Sequence, residues 1–180
     1  MSKFYHMTIA GHERDLPLCP LNDKLDIAGF VMFSDVELTV DAAKELLKKA
    51  PEFDVILTAE SKGIPLAYEM ARQSGKNYVV ARKALKLYMV NPKEVDVKSI
   101  TTAKQQKLYV DEFDYARLNG KKVLIVDDVI STGESLAALE SLLKFTNSNI
   151  VGKCAVLAEG DAAKRTDIFF LEELPLFPHN

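Results

Sequence analysis

The chain has 180 residues, 48% hydrophobic and 27% charged, with 23 lysines and arginines against 26 aspartates and glutamates for a net charge of -3. That length makes one domain with a sizeable core, and the composition is ordinary for a soluble globular protein. The acidic balance gives no general attraction for nucleic acid, so any polyanion site must be local, and no apolar run reaches membrane-spanning length.

The opening MSKFYHMTIAGHERD lacks the apolar segment of a secretion signal. Cys19 and Cys154 lie far apart without metal-ligand spacing, and are expected to be buried reduced thiols of a cytoplasmic protein. TVDAAKELLKKA (39–50) predicts a helix with Thr39 as N-cap, stopped by Pro51. FDVILTA (53–59) is expected as a buried strand. A polar turn, Glu60-Ser61-Lys62-Gly63, leads into a helix, IPLAYEMARQSG, that ends near Gly75. NYVVAR (77–82) is the next strand. Residues 83–113 break the alternation: charged stretches surround strand-like runs at 97–101 and 107–111, the pattern of a loop and hairpin. A strand at 122–127, a helix to about 145 and a strand at 150–158 resume it. Strands alternating with helices predict an α/β fold around a parallel sheet. Residues 1–35 and 159–180 lack that rhythm. They are expected to form a small cap over the sheet's carboxyl edge, leaving a core of about 36–158 within a single domain spanning 1–180.

Three polar clusters fall at predicted strand ends, and ligands of open α/β sheets bind outside the carboxyl ends of strands. The most informative is VLIVDDVISTGES (123–135). Four buried aliphatic residues run into Asp127 and Asp128, then into Ser131, Thr132, Gly133, Glu134 and Ser135 ahead of a helix. Free N–H groups in a first helical turn, with three hydroxyls and a glycine that lets backbone approach, suit a phosphate dianion. The two carboxylates would repel that phosphate. They suit vicinal sugar hydroxyls, or Mg²⁺ held directly or through water. A phosphorylated ribose has both ends. Taken singly, the acidic pair could cap a loop and Ser131 or Thr132 could be an ordinary N-cap. The second cluster, Glu60 to Gly63, offers backbone N–H groups and Lys62 to another anion. The third, Arg82-Lys83-x-x-Lys86, reads either as a solvated charge run or as cations at the same edge.

The thirteen-residue stretch resembles the 5-phosphoribosyl-1-pyrophosphate (PRPP) motif of the type I phosphoribosyltransferases at every position. AESKG-IPLA resembles the pyrophosphate loop of the adenine branch, a loop that in the family often carries a cis peptide. The resemblance implies the type I fold, with a parallel twisted sheet flanked by helices, a cap from the terminal segments, and a flexible loop or hairpin. It implies that Asp127 and Asp128 hold the ribose hydroxyls and, indirectly, Mg²⁺. Ser131, Thr132, Gly133, Glu134 and Ser135 would bind the 5-phosphate, and Glu60, Ser61, Lys62, Gly63, Arg82, Lys83 and Lys86 the pyrophosphate. Lys83 joins the acidic pair as a catalytic group. Some of these cations reach a neighbouring subunit in related enzymes, which implies a homodimer.

The substrates implied are PRPP and a purine base, in nucleotide salvage, with no nucleic-acid or membrane partner. The ESKG turn and its spacing to Arg82-Lys83 favour adenine, whereas ALKLYM only loosely echoes the adenine-type loop, which leaves xanthine and guanine open. Ser131 stands where hypoxanthine-guanine enzymes carry an aspartate. Phe30, Phe33 and Phe169 are expected as ring contacts for the base. Glu94, Asp96 and Glu60 are candidate general bases. A PRPP-sensing regulator and a non-catalytic nucleotide binder are the alternatives to an enzyme.

Overall fold

Continuous burial along the central apolar runs decides the architecture. The computed structural model of the chain describes residues 3–97 and 106–179. In chain order the elements are β1 (Phe4–Ile9), β2 (His12–Asn22), β3 (Leu25–Ala28), α1 (Val36–Lys49), β4 (Val55–Ala59), α2 (Ile64–Ser74), β5 (Asn77–Ala81), β6 (Lys93–Val97), β7 (Gln106–Val110), α3 (Glu112–Leu118), β8 (Lys122–Ile130), α4 (Glu134–Leu143), β9 (Asn149–Glu159), a 3-10 turn (Gly160–Lys164), β10 (Phe169–Leu174) and β11 (Phe177–Pro178).

The central sheet has the order β10-β9-β8-β4-β5 with every neighbouring pair parallel. Successive strand side chains leave on opposite faces, and here both faces are covered. Ile56, Leu124, Val126, Cys154 and Val156 join a core with α1 and α2, while Val55, Leu57, Val123, Ile125 and Ala155 join a second core with α4. A sheet buried on both sides explains why β4 and the first half of β8 read as continuous apolar runs. The predicted α/β class and parallel sheet are those of the structure.

The expected start of the first helix shifts. Helix α1 starts before Thr39: Asp35 is its N-cap, with Oδ1 accepting from Leu38 N at 3.3 Å, and Thr39 Oγ1 donates back to Asp35 O at 2.7 Å. The apolar stripe begins at Leu38, so a cap belongs a turn earlier than the threonine. The hairpin is present as antiparallel β6 and β7, with Lys93 opposite Val110, but the run expected at 97–101 lies outside the described residues after Val97. Helix α3 was not anticipated. Its N-cap Asp111 accepts from Asp114 N at 2.9 Å, and Glu112 and Asp114 place acid in its first turn, where the helix dipole favours it.

The terminal segments divide. β1, β2, β3 and β11 form a four-stranded antiparallel sheet, with Phe177 opposite Asp26. β10, from the segment expected in the cap, instead pairs with β9 as the outer strand of the central sheet. Ala10 and Gly11 link β1 to β2 with φ of 49° and 86°, the hand of turn that matches strand twist. Cys154 is buried, and burial pushes its thiol pKa far up; Cys19 is exposed, against expectation. The described helices include none long and apolar enough to cross a membrane.

Candidate active site

β8 continues past its apolar half to Ile130, so Asp127 and Asp128 lie within the strand. Gly133 then turns the chain at φ +81° and is the N-cap of α4, a conformation that disfavours an L side chain by about 1–2 kcal/mol. No side chain caps α4. Its first turn, whose N–H groups have no partner within a helix, contributes to a small pocket lined by Asp127 and residues 129–136. The hydroxyls of Ser131, Thr132 and Ser135 stand in the same lining. Amides and hydroxyls converge where the helix dipole is positive, the environment of a bound anion.

Asp128 is 4% exposed, and its Oδ2 lies 3.0 Å from Lys62 Nζ. That contact is one of charge: Oδ2 makes no hydrogen bond among the described residues. Asp127 Oδ1 accepts from Asp128 N at 2.9 Å. Burial, reinforced by the neighbouring Asp128 charge, raises the Asp127 pKa to about 8. The fold therefore holds two carboxyl groups side by side with the Lys62 ammonium against one of them, an arrangement suited to hydroxyl donors or a cation.

The turn after β4 touches both other clusters. Glu60 and Ser61 are joined by a cis peptide. Gly63 caps α2 without a side chain, and Pro65 follows in the first turn. A Cβ on Gly63 would lie 2.8 Å from Thr58 Oγ1, 3.1 Å from Asp127 Oδ1 and 3.3 Å from Asp127 Cα, so the turn packs directly on the acidic pair. On its other side, Glu60 gathers the basic cluster. Glu60 Oε2 accepts from Lys83 N at 2.8 Å, Oε1 lies 3.2 Å from Arg82 Nη2 and 4.0 Å from Lys86 Nζ. The Lys83 amide, with Arg82 and Lys86, holds the Glu60 carboxyl below its usual pKa. Arg82 Nη1 donates to Tyr88 OH at 2.5 Å, and its backbone bridges to Tyr109 of β7.

A larger open cleft, about 750 Å³, adjoins the turn at residues 131–135. Ser131, Thr132 and Glu134 line it on one side, Leu21, Leu25, Ile27 and Leu176 on another, with Glu159, Asp161 and Arg165 completing it. It is an apolar-walled space with a few polar groups at the carboxyl edge, the common form of a small-molecule site. Burial raises the pKa of the half-buried Glu159.

The phosphoribosyl transferase domain family matches residues 36–174. The chain belongs to that family. A hypoxanthine/guanine phosphoribosyltransferase of Methanothermus fervidus is 33% identical over 116 residues, 64% of this chain and 58% of that protein. An adenine phosphoribosyltransferase of Rhodococcus jostii is 33% identical over 129 residues, 70% of this chain and 69% of that protein. The chain thus spans less than two thirds of the Methanothermus relative. Among solved structures, adenine phosphoribosyltransferase from Thermoanaerobacter pseudethanolicus has a TM-score of 0.72 at 18% identity, covering 88% of this chain and 95% of its own. The Giardia lamblia enzyme complexed with 9-deazaadenine has a TM-score of 0.64 at 19% identity, with 94% and 93% covered. These structures share the type I phosphoribosyltransferase fold.

Within that fold, the three polar clusters are contiguous at one sheet edge. The three expected aromatic contacts lie in different surroundings. Phe30 is buried in the core beside α1 and α2, Phe169 packs partly buried against the same core, and Phe33 lines a separate pocket with Val36, Ile64 and Tyr68. Phe30 and Phe169 are used in packing, whereas Phe33 is 48% exposed beside Ile64 and Pro65, which open α2 directly after the Glu60 to Gly63 turn. Of the candidate bases, Glu94 is paired with Lys107, Glu60 is turned to the basic cluster, and Asp96 lines a groove beside Thr132 to Glu134. Sequence reasoning does not single out Thr58, Glu159 or Arg165, whereas the Leu21, Leu25 and Ile27 wall belongs to residues 18–33, which with 156–177 are expected to supply an aliphatic or aromatic clamp for a flat ring. Glu159 ends β9 as Asp127 and Asp128 end the aliphatic run of β8, and the strand-end rule applied to every strand finds it.

Proposed function

We infer that this chain is a purine phosphoribosyltransferase of nucleotide salvage, transferring the 5-phosphoribosyl group from PRPP to a purine base with release of pyrophosphate. The carrying observation is the contact of one turn with both neighbours: Lys62 and Gly63 against the acidic pair, Glu60 against Arg82, Lys83 and Lys86. One ligand with a phosphate, a diol and a pyrophosphate fits that series of loops.

In this reading residues 131–135 bind the 5-phosphate through amides and hydroxyls, and Asp127 and Asp128 accept from the ribose hydroxyls. Cleavage of the C1–O bond leaves an oxocarbenium-like ribose, as in glycoside cleavage. Pyrophosphate gains charge as that bond lengthens, so Lys62, Arg82, Lys83 and Lys86 bind it more strongly in the transition state than before it. The protein's main contribution is positioning. Asp127 and Asp128 fit Mg²⁺ held indirectly, as two adjacent carboxyl groups with Lys62 against one oxygen of Asp128, and the described residues contain no group of three or more histidine, cysteine and acidic side chains to cage it. When bound with PRPP, the ion supplies positive charge to the leaving group.

Adenine is the acceptor favoured by the ESKG turn and by the Rhodococcus relative's name. The Methanothermus name keeps guanine as the alternative, with xanthine beside it. The free thiols fit a cytoplasmic enzyme. Exposed apolar side chains beside α2 fit a homodimer. The test is pyrophosphate release from PRPP and Mg²⁺ with adenine, guanine, hypoxanthine, xanthine and orotate in parallel. Turnover is expected with a purine, fastest with adenine, and lost in the Asp127→Asn/Asp128→Asn variant. PRPP binding without turnover on any base would replace the enzyme by a PRPP-sensing regulator.

A further inference from the structure

We propose that Arg165 is a further binding residue of the phosphate loop, offering one edge of its guanidinium to the 5-phosphate; this rests on the reading of residues 131–135 as the 5-phosphate site. The first observation is proximity. A Cβ on Gly133 would lie 2.5 Å from Arg165 Nη1, so the guanidinium stands against the turn that caps α4. The second is anchorage. Arg165 Nε donates to Asp167 Oδ1 at 2.9 Å and Nη2 to Asp167 Oδ2 at 2.8 Å, a two-point grip that fixes the plane of the group.

Asp167 is itself held. Its Oδ2 accepts from Lys153 Nζ at 2.6 Å, and the same ammonium donates to Glu140 Oε1 at 2.8 Å. Lys153 belongs to β9 and Glu140 to α4. The guanidinium is thereby tied to the helix whose amino end is the phosphate loop. The third observation is what remains. Nη1 makes no hydrogen bond among the described residues, and Arg165 lines the larger cleft together with Ser131, Thr132 and Glu134.

The chemistry distinguishes this from a purely structural ion pair. An arginine can engage a carboxylate through Nε and Nη2 while Nη1 stays available to a second acceptor. A lysine at the same place offers a point charge and cannot hold both in fixed geometry. The four groups from Arg165 to Glu140 sum to no formal charge. The contribution is therefore a local, charge-assisted hydrogen bond rather than a broad positive field, and it should act on the 5-phosphate and not on the distant pyrophosphate.

The test separates the two anion sites with two probes. Ribose 5-phosphate and inorganic pyrophosphate are titrated separately by calorimetry into wild type, Arg165→Met and Arg165→Lys. The expected result for Arg165→Met is about tenfold weaker binding of ribose 5-phosphate with pyrophosphate binding unchanged, which also certifies the fold. KM for PRPP should rise with little change in kcat, the sign of a contact made equally before and in the transition state. Arg165→Lys should recover only part of the loss, and it carries the test if the methionine variant does not fold. Wild-type ribose 5-phosphate affinity in either variant overturns the role of Arg165 alone. Wild-type protein that binds pyrophosphate but not ribose 5-phosphate overturns the assignment of the phosphate loop, and this inference with it.

Discussion

At the scale of single residues, the site depends on close approaches that leave no room for a side chain. Gly63 is the clearest. The atoms that its Cβ would meet are Thr58 Oγ1, on a fully buried residue of β4, and the side chain and Cα of Asp127. None is the free end of a flexible side chain, and the strands that carry them are fixed by their neighbours in the sheet. An added methyl group must displace the turn or the acidic pair. Gly63→Ala should therefore lower stability by about 1–3 kcal/mol, as overpacking does, and lower PRPP turnover further than that loss of folded protein explains. Urea unfolding beside a steady-state assay checks both. A wild-type midpoint and rate would mean that the turn has slack. Gly133 differs: the atom its Cβ would meet first is the end of an arginine side chain, so there the positive φ is the stronger constraint.

At the scale of elements, what the sequence made legible was whatever one local signal determined. Continuous apolar runs located β4 and β8, and a left-handed glycine at φ +67° closes α2 where Gly75 predicts it. Competing local signals were not resolved. Helix α3 has only seven residues and follows directly on β7, so its Asp111 cap was absorbed into a strand-like stretch. The alternation in β10, with Leu174 buried and Glu172 and Glu173 exposed, carries no sign of which sheet it joins. That choice is made by long-range contact, including the ion cluster before it. Arg165 and Lys153 hold the Asp167 carboxyl well below its usual pKa. A carboxylate with a depressed folded-state value contributes stability above its unfolded value, and loses that contribution as pH falls through the folded one. Asp167 is 48% exposed, so solvent screening limits its share. Asp167→Asn should cost about 0.5–1 kcal/mol at pH 7, with the deficit shrinking below pH ~3.9. Urea midpoints at pH 7 and pH 3 read this directly. A deficit of equal size at both would show that the ion pairs are not its source.

At the scale of the whole molecule, the surface near α2 carries apolar area that the monomer does not use. Val36 is 72% exposed and Tyr68 54%, and with Phe33 they line a pocket that also contains Ile64 and Pro65. Contiguous exposed apolar surface of this kind marks an interaction site more often than it marks an indifferent one. Its position joins assembly to the proposed chemistry, because Ile64 and Pro65 open the helix that follows the turn proposed to bind pyrophosphate. Leu85, Leu87 and Tyr88, in the segment after the basic cluster, are exposed as well, and a second copy of the chain could cover both regions while bordering the site. The proposed homodimer thus predicts a mass of twice 20.0 kDa in solution. Replacing Val36 and Tyr68 together with glutamate puts like charges into a symmetric contact, where burying them unpaired is strongly unfavourable. Analytical ultracentrifugation should then show a folded species of 20.0 kDa, with pyrophosphate release reduced if a neighbour's cations complete the site. Wild-type protein sedimenting as a monomer at tens of micromolar would remove the dimer, and the apolar face beside α2 would need a different occupant.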